Sequence, residues 1–403
     1  MNNQKDIRRN QSSIFHTILI VCSLIVFSCS DDSGSEEQID QYLISSKKVA
    51  NYDAILLQLG ASQEGLSSIA SQLKYDISVY EIEYKTTYLG SDITASGLIG
   101  IPDTEEEVSI LSFQHGTIAA NSDAPTQSSE GQFYASFASL GYISLIPDFI
   151  GFGSSADILH PYYHEESTAQ AVIDMIRAAK QFILANGINS DDRLFLAGYS
   201  EGGYATMVAH KAIEDKYADE FDLVASAPAS GGYDLIGMKD YMVSLDTYSQ
   251  PFYLAYLTAA YAEINDWKTL VSEVFNEPYA SAIPDLFDGT KSGSQINAAL
   301  TTDISALLTA DFISNSTSSK YQILTDELSS NSPIDWQPNR PVYMYHGTTD
   351  ITVPFINSES AYDELIKNGA SEDKISFTAL EGVDHGSGIA PYVIHFTAVF
   401  ADL

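Results

Sequence analysis

The order of β-rich and helical runs is the feature of this sequence that most narrows the folds open to it. From residue 77 onward, short runs rich in β-branched and aromatic residues alternate with longer runs of helical periodicity. The predicted strands cover residues 77–86, 93–101, 108–113, 143–147, 194–197, 223–226, 342–345 and 375–379. The predicted helices cover residues 133–140, 167–186, 202–217, 358–367 and 390–400. Such alternation is typical of right-handed crossovers, so we predict an α/β fold with a mostly parallel central sheet flanked by helices.

Two stretches depart from this alternation. The first two strands are separated only by the turn Leu89-Gly90-Ser91-Asp92, which predicts a hairpin and therefore an antiparallel pair. Between residues 233 and 338 the alternation stops, and we predict an inserted helical cap there rather than a second domain. Most of the cap's aromatic residues are expected to pack the cap, and a minority to line an apolar acyl pocket. These aromatic residues are Tyr241, Tyr248, Phe252, Tyr253, Tyr256, Tyr261, Trp267, Phe275 and Phe287.

Upstream of the first predicted strand, residues 38–74 have apolar residues three to four positions apart, which is the spacing of a helix. The residues that carry this spacing are Ile39, Leu43, Ile44, Ile55, Leu56 and Leu59. We therefore predict helical packing at the edge of the domain.

The N-terminus has the features of an export signal. Basic residues precede an apolar run over residues 18–27, which is too short for a comfortable membrane span. The run is followed by Cys29 and then by an acidic stretch, in an arrangement that resembles a bacterial lipobox. We predict a lipoprotein signal peptide over residues 1–28, lipidation of Cys29, an acidic linker over residues 29–37 and the α/β domain over residues 38–403. A plain cleaved signal and a retained anchor are the alternatives.

A lipid on Cys29 would anchor the protein to a membrane. The prediction is therefore an outer-membrane or cell-surface lipoprotein of the cell envelope, with simple secretion as the alternative. The sequence does not predict which side of the membrane the domain faces.

Charge and cysteine content argue against several classes of function. With 54 acidic residues against 19 lysines and arginines, the formal net charge is −35, which disfavours nucleic-acid binding. Cys22 and Cys29 are the only cysteines, and Cys22 lies in the predicted signal, so no disulfide framework or thiolate metal site can be built.

Residues 151–156 fit the dinucleotide-binding pattern G-x-G-x-x-A, but His160-Pro161 interrupts the helix that a dinucleotide site requires. No histidine pair with the spacing of a metal site lies in a predicted helix, so we predict neither metal nor cofactor.

The strongest local signal is Gly198-Tyr199-Ser200-Glu201-Gly202-Gly203, directly after an apolar strand and before an Ala-rich helix. A sharp strand-to-helix turn needs small residues on both sides, and Gly198 and Gly202 supply them. Such a turn exposes Ser200 at the carboxyl edge of the sheet and at the positive end of the following helix. We predict Ser200 as a nucleophile.

A serine nucleophile needs a base and an acid, which in a fold of this kind follow the serine in the order acid, histidine. Asp350 lies in the loop after the seventh predicted strand and is predicted as the acid, whereas Asp335 at the end of the cap is less well placed. His385 lies in a glycine-flanked loop after the eighth predicted strand. We predict that His385 takes the proton of Ser200 while Asp350 holds its other nitrogen.

An oxyanion hole would need two backbone donors. The first predicted donor is the amide of Glu201, which follows the nucleophile. The second should come from the loop after the strand 108–113, where we favour the amide of Thr117, with Gly116 or His115 as alternatives. A structural role of His115 as a hydrogen-bonding loop residue is equally compatible with the sequence.

Together these motifs resemble the secretory lipase-like branch of the α/β hydrolases, from the first predicted strand to the C-terminus. The resemblance is carried by Gln114-His115-Gly116-Thr117, Pro147-Asp148-Phe149-Ile150-Gly151-Phe152-Gly153, the Ser200 elbow and the loops of Asp350 and His385. It implies an α/β-hydrolase fold with a lid over the acyl site. It also implies hydrolysis of carboxylic esters, small or lipid, through an acyl-enzyme. Residues that bind the substrate are not assigned.

Two other functions compete with ester hydrolysis. A serine peptidase, like the prolyl oligopeptidases or aminopeptidases, would use the same fold and triad, with Glu263, Asp266 and Glu273 as candidates for holding a substrate amino group. A surface lipoprotein that only binds a ligand or partner would need no reactive serine.

Overall fold

A single twisted sheet of nine strands organises residues 41–403, the part of the chain that the computed structural model describes. The strands are β1 (Leu43–Tyr52), β2 (Ile77–Tyr88), β3 (Ser91–Pro102), β4 (Val108–Gln114), β5 (Tyr142–Pro147), β6 (Ser190–Tyr199), β7 (Asp222–Ala229), β8 (Val342–Gly347) and β9 (Ile375–Leu380). Their order in the sheet is β1-β2-β3-β5-β4-β6-β7-β8-β9. The pairs β1–β2, β2–β3 and β3–β5 are antiparallel, and every pair from β5–β4 to β8–β9 is parallel. This confirms the predicted fold class. The predicted signal peptide, Cys29 and acidic linker lie outside the described residues.

Fifteen α-helices of the described residues connect or cover these strands. They are α1 (Ala54–Gln63), α2 (Ser67–Ala70), α3 (Ser129–Tyr134), α4 (Glu165–Asn186), α5 (Glu201–Lys216), α6 (Leu235–Val243), α7 (Pro251–Ile264), α8 (Leu270–Val274), α9 (Tyr279–Leu286), α10 (Gly293–Ala299), α11 (Ile304–Leu307), α12 (Ala310–Asn315), α13 (Gln322–Ser330), α14 (Phe355–Lys367) and α15 (Ile389–Ala401). Over residues 41–403, no helix combines the length and the apolar character needed to cross a membrane.

The turn between β2 and β3 is shorter than the predicted one. Leu89 and Gly90 alone connect the strands, and Tyr88 pairs with Ser91. Both turn residues have positive φ, 47° and 77°, which matches the two-residue turns that suit the twist of a hairpin.

The prediction of helical packing over residues 38–74 is wrong for Leu43–Tyr52, which form the edge strand β1. Most side chains of this strand are exposed, and Lys47 and Lys48 lie among them, as is common on an edge strand. The apolar spacing does not mark a buried helix face either, since Ile55 and Leu56 in α1 are more than half exposed. Residue 39 lies outside the described part of the chain.

Strand β6 is buried on both faces of the sheet. Leu194 and Leu196 pack into a cluster with α4 and α5, whereas Phe195 and Ala197 pack into the opposite cluster with α15. Successive side chains of a strand alternate between faces, so a continuous apolar run is what a central strand of a covered parallel sheet requires. The strand that ends in the serine elbow is therefore held from both sides.

Helices α6 to α13 lie between β7 and β8, and we call residues 235–330 the helical insertion. The insertion has its own apolar cluster, which also includes Tyr162, Tyr163 and Tyr204 from outside it. All nine of the aromatic residues singled out in the sequence belong to this cluster or pack against it.

Candidate active site

Ser200 stands alone between β6 and α5, at a sharp corner of the backbone. Its φ and ψ are 61° and −123°, a strained combination for a residue other than glycine. The Ser200 N–H donates to the carbonyl of Ala229 at the end of β7, at 2.9 Å, which ties the corner to the neighbouring strand.

The glycines around the serine are required by close backbone approaches. A Cβ built on Gly202 would lie 1.9 Å from the carbonyl oxygen of Gln114 at the end of β4. A Cβ on Gly198 would lie 2.2 Å from the carbonyl oxygen of Gly202. Because real Cβ atoms cannot approach so closely, the elbow can form only with glycine at both positions.

The structure brings Ser200, His385 and Asp350 into one hydrogen-bonded line. Nε2 of His385 lies 2.9 Å from Oγ of Ser200, and Nδ1 lies 2.6 Å from Oδ2 of Asp350. A carboxylate accepts, so Nδ1 carries the hydrogen and Nε2 can accept the hydroxyl proton. The alternative acid, Asp335, is 76% exposed and pairs with Lys211.

Asp350 is held by more groups than His385 alone. Its Oδ1 accepts from the N–H groups of Thr352 and Val353, and its Oδ2 lies 3.2 Å from Nε2 of His346. Burial by itself would raise the pKa of Asp350, but hydrogen bonds from His346 and His385 outweigh burial and hold that pKa below its ordinary value. The carboxylate is thus kept charged. No sequence pattern indicates this role of His346, because its contact with Asp350 exists only in the folded loop.

The histidine loop is anchored to the elbow. The hydroxyl of Tyr199, the residue before the serine, donates to the carbonyl of His385 at 2.8 Å. Below the elbow, the buried hydroxyl of Tyr392 in α15 accepts from the N–H of Gly198 and donates to the carbonyl of Ala227. These bonds fix the spacing between β6, β7 and the loop that carries the imidazole.

The two amides predicted for an oxyanion hole lie at the ends of segments that meet at Ser200. Glu201 begins α5, so its N–H has no partner within the helix. A Cβ built on Gly116 would lie 3.6 Å from Cβ of Ser200, which brings the loop of Thr117 against the elbow. Over residues 41–403 neither N–H donates to another protein group. The ring of His115 contacts the carbonyls of Gly116 and Asp148, in keeping with a structural role.

A second buried histidine, His160, lies against the side chain of Glu201. Its Nε2 is 2.6 Å from Oε1 of Glu201, and both side chains are only 3% exposed. Its Nδ1 lies 2.6 Å from the carbonyl of Ile150 and therefore donates to it. One hydrogen therefore lies between Nε2 and the carboxyl of Glu201 and joins them by a hydrogen bond. In the sequence, His160 stands out only as part of the segment that interrupts a helix after residue 156.

An apolar cavity adjoins Ser200 and extends into the helical insertion. Its empty space is about 860 Å³ when the part that is open to solvent is included. Tyr248 and Tyr253 of the predicted aromatic set line it, and Lys239 is the one charged residue among the described residues that do. The three acidic residues proposed for a peptidase do not line it; Asp266, for example, is 81% exposed and pairs with Lys268.

Metal-binding groups are not assembled near this site or elsewhere in the described residues. No cluster of three or more His, Cys, Asp or Glu side chains with metal-ligand geometry occurs over residues 41–403.

The chain is similar to known hydrolases in sequence and fold. The family model described as secretory lipase matches residues 119–402. A Legionella pneumophila protein classed as a hydrolase is 27% identical over 90% of this chain and 98% of its own, with a TM-score of 0.82. The ligand-bound rice cell wall degrading esterase LipA from Xanthomonas oryzae is 25% identical over 87% of this chain and 94% of its own, with a TM-score of 0.75.

A more distant likeness concerns the fold only. Candida antarctica lipase A is 17% identical over 85% of this chain and 77% of its own, with a TM-score of 0.61. No curated protein sequence matches the chain.

Proposed function

The chain belongs to the secretory lipase family, and from this premise we propose that it cleaves carboxylic esters with Ser200 as nucleophile, His385 as base and Asp350 as acid. Family membership and the likeness to LipA make it a hydrolase of the lipase or esterase type. The observation that carries the serine mechanism is the hydrogen-bonded line of the three side chains beside an apolar cavity.

In the first half of the reaction, Nε2 of His385 takes the hydroxyl proton as Oγ of Ser200 attacks the ester carbonyl. Asp350 stabilises the imidazolium that forms. The lowered pKa of Asp350 supports this role, because the carboxylate stays charged over the range in which the histidine works. The imidazolium then protonates the departing alcohol, which leaves an acyl group on Ser200.

The negative charge on the carbonyl oxygen would be stabilised by the amides of Glu201 and Thr117. The lack of an acceptor for either amide among residues 41–403 and the nearness of Gly116 to Ser200 support this assignment. Water activated by the same histidine then attacks the acyl group and releases the acid. The apolar cavity would hold the acyl chain, whose exclusion from water favours binding.

Ester substrates fit this cavity better than peptides with a free amino terminus. A carboxylate at the site would compensate the charge of an amino terminus, and the described lining residues include a lysine but no acidic residue. No contact of the described residues favours a peptidase or a role in binding alone.

We also propose that the protein is exported and held at the cell envelope by a lipid on Cys29. The secretory character of the family supports export, and the sequence around the cysteine supports the anchor. Incorporation of labelled palmitate by the parent protein, with none in Cys29→Ser, is the expected result; equal labelling would contradict the anchor.

Ser200→Ala is the direct test of the mechanism. We expect kcat for p-nitrophenyl butyrate to fall by about 10⁴-fold or more, and labelling by a fluorophosphonate probe to disappear. Ser62→Ala, which changes an exposed serine in α1, is the matched control and should retain both. Undiminished hydrolysis by Ser200→Ala would disprove the assignment.

A further inference from the structure

Lys239 occupies an unusual position for a lysine. It lies in α6, the first helix of the insertion, and its side chain is only 8% exposed. Its neighbours along the same helix, Leu235, Met238 and Met242, line the apolar cavity with it. The Nζ atom itself is shielded from solvent. The amine therefore does not reach bulk water, as most lysines do.

The charge of this amine is poorly compensated within the described chain. Nζ lies 2.9 Å from Oδ1 of Asp240, but without the geometry of a hydrogen bond. Adjacent residues on a helix point in different directions, and the side chain of Asp240 is half exposed, so water screens its charge. An ammonium group has three donors, and a buried one that lacks acceptors is costly.

Three other polar side chains on the cavity wall already have partners. The hydroxyl of Tyr248 donates to the carbonyl of Thr352, and that of Thr258 to the carbonyl of Leu254. Tyr162 shares a hydrogen bond with Thr117. Among the described lining residues, Lys239 thus provides the one charge, and no described group accepts a hydrogen bond from its ammonium.

We propose that Lys239 binds a carboxylate of the substrate inside the cavity, so that the preferred substrates are esters in which an apolar chain carries a terminal carboxylate. The inference rests on the proposed function, because the ester must be cleaved at Ser200, in the same cavity. A carboxylate suits the site better than a phosphate dianion, since Lys239 provides a single positive charge and the other described lining residues are uncharged. The net charge of −35 repels anions at a distance, so discrimination depends on the close contact with the ammonium in a medium of low dielectric constant.

The test compares esters of equal chain length that differ only at the far end. One set is p-nitrophenyl hydrogen adipate, suberate and sebacate; the other is p-nitrophenyl hexanoate, octanoate and decanoate. A wholly apolar pocket would strongly disfavour the first set, because a carboxylate would lose its water without gaining a partner. We expect the parent protein to hydrolyse at least one carboxylate ester with a kcat/KM equal to or above that of its alkyl counterpart.

The variant Lys239→Met keeps the length of the side chain and removes its charge. We expect the ratio of kcat/KM for the carboxylate ester to that for the alkyl ester to fall by about 10- to 100-fold, the range of a charge-assisted hydrogen bond. Lys239→Arg should recover part of the ratio. Lys268→Met, which removes an exposed lysine of the same insertion that also pairs with an aspartate, should leave the ratio unchanged.

A second arm places the carboxylate on the alcohol side, with the butyrate esters of ω-hydroxyhexanoic acid and of hexanol followed by titration of the released acid. The arm in which Lys239→Met lowers the ratio identifies the part of the substrate that enters the cavity. An unchanged ratio in both arms, with Ser200 still labelled by the fluorophosphonate probe, would overturn this inference alone. Absence of ester hydrolysis and of Ser200 labelling in the parent protein would overturn the proposed function and this inference with it.

Discussion

The buried contact between His160 and Glu201 allows a prediction of how much it contributes to the stability of the fold. Replacing His160 with leucine keeps much of its volume but leaves the carboxyl of Glu201 without its partner at a position that is 3% exposed. Breaking a buried charge pair from one side costs about 3–5 kcal/mol, because the remaining charge loses its compensation. We expect His160→Leu to lower the free energy of unfolding by an amount in this range near pH 7.

Urea unfolding followed by circular dichroism at about pH 7 measures this effect. Glu201→Gln is the control, since its amide can still donate to Nε2 of His160; its cost should be about 1 kcal/mol. A destabilisation by His160→Leu no larger than that by Glu201→Gln would refute the reasoning.

Two further predictions concern the elbow and the acid. Gly202→Ala should prevent α5 from approaching β4 and abolish soluble, active protein. Gly60→Ala is the control, because a Cβ there meets nothing within 4 Å, and it should preserve both yield and activity. Normal yield and activity of Gly202→Ala would contradict this prediction. His346→Leu should raise the pKa of Asp350 towards its ordinary value, and because a lowered carboxyl pKa stabilises the fold only above that pKa, acid unfolding should begin at a higher pH. Fluorescence titration measures the midpoint, and Ser358→Ala, which keeps the pair with Asp350, should move it less; equal shifts would contradict the role of His346.

The central sheet could be predicted because its strands are buried on both faces and therefore apolar throughout. The residues from Leu194 to Ala197 are all apolar, so both faces of this strand favour burial. The helices on either side of the sheet bury one face each. In such segments the sequence pattern and the tertiary structure impose the same demand.

The edge strand β1 could not be predicted on the same grounds. Its burial pattern has no alternation, because solvent reaches both of its faces over much of its length. What makes Leu43–Tyr52 a strand is the pairing with β2, which the local sequence does not encode.

The three residues of the candidate triad could be placed because each follows a parallel strand, and such strands end at the same edge of the sheet. The supporting histidines, His160 and His346, gave no comparable signal. Their partners, Glu201 and Asp350, are identified only by the folded chain, since 41 residues separate the first pair. The contribution of Lys239 to the cavity wall was missed for the same reason, because burial of one lysine depends on long-range packing.

The positions of β6 and β9 in the sheet give the candidate site two unequal supports. Ser200 follows a strand with neighbours on both sides, whereas His385 follows β9, which within the described part of the chain pairs with β8 alone and forms an edge of the sheet. Amide hydrogens near the serine can exchange with solvent only through extensive opening of the sheet, while those of the last strand need only local fraying. Heat or denaturant would therefore displace the imidazole of His385 before it disturbs the hydroxyl of Ser200. The first state expected on the way to unfolding is a largely folded protein whose serine has lost its base and is inactive.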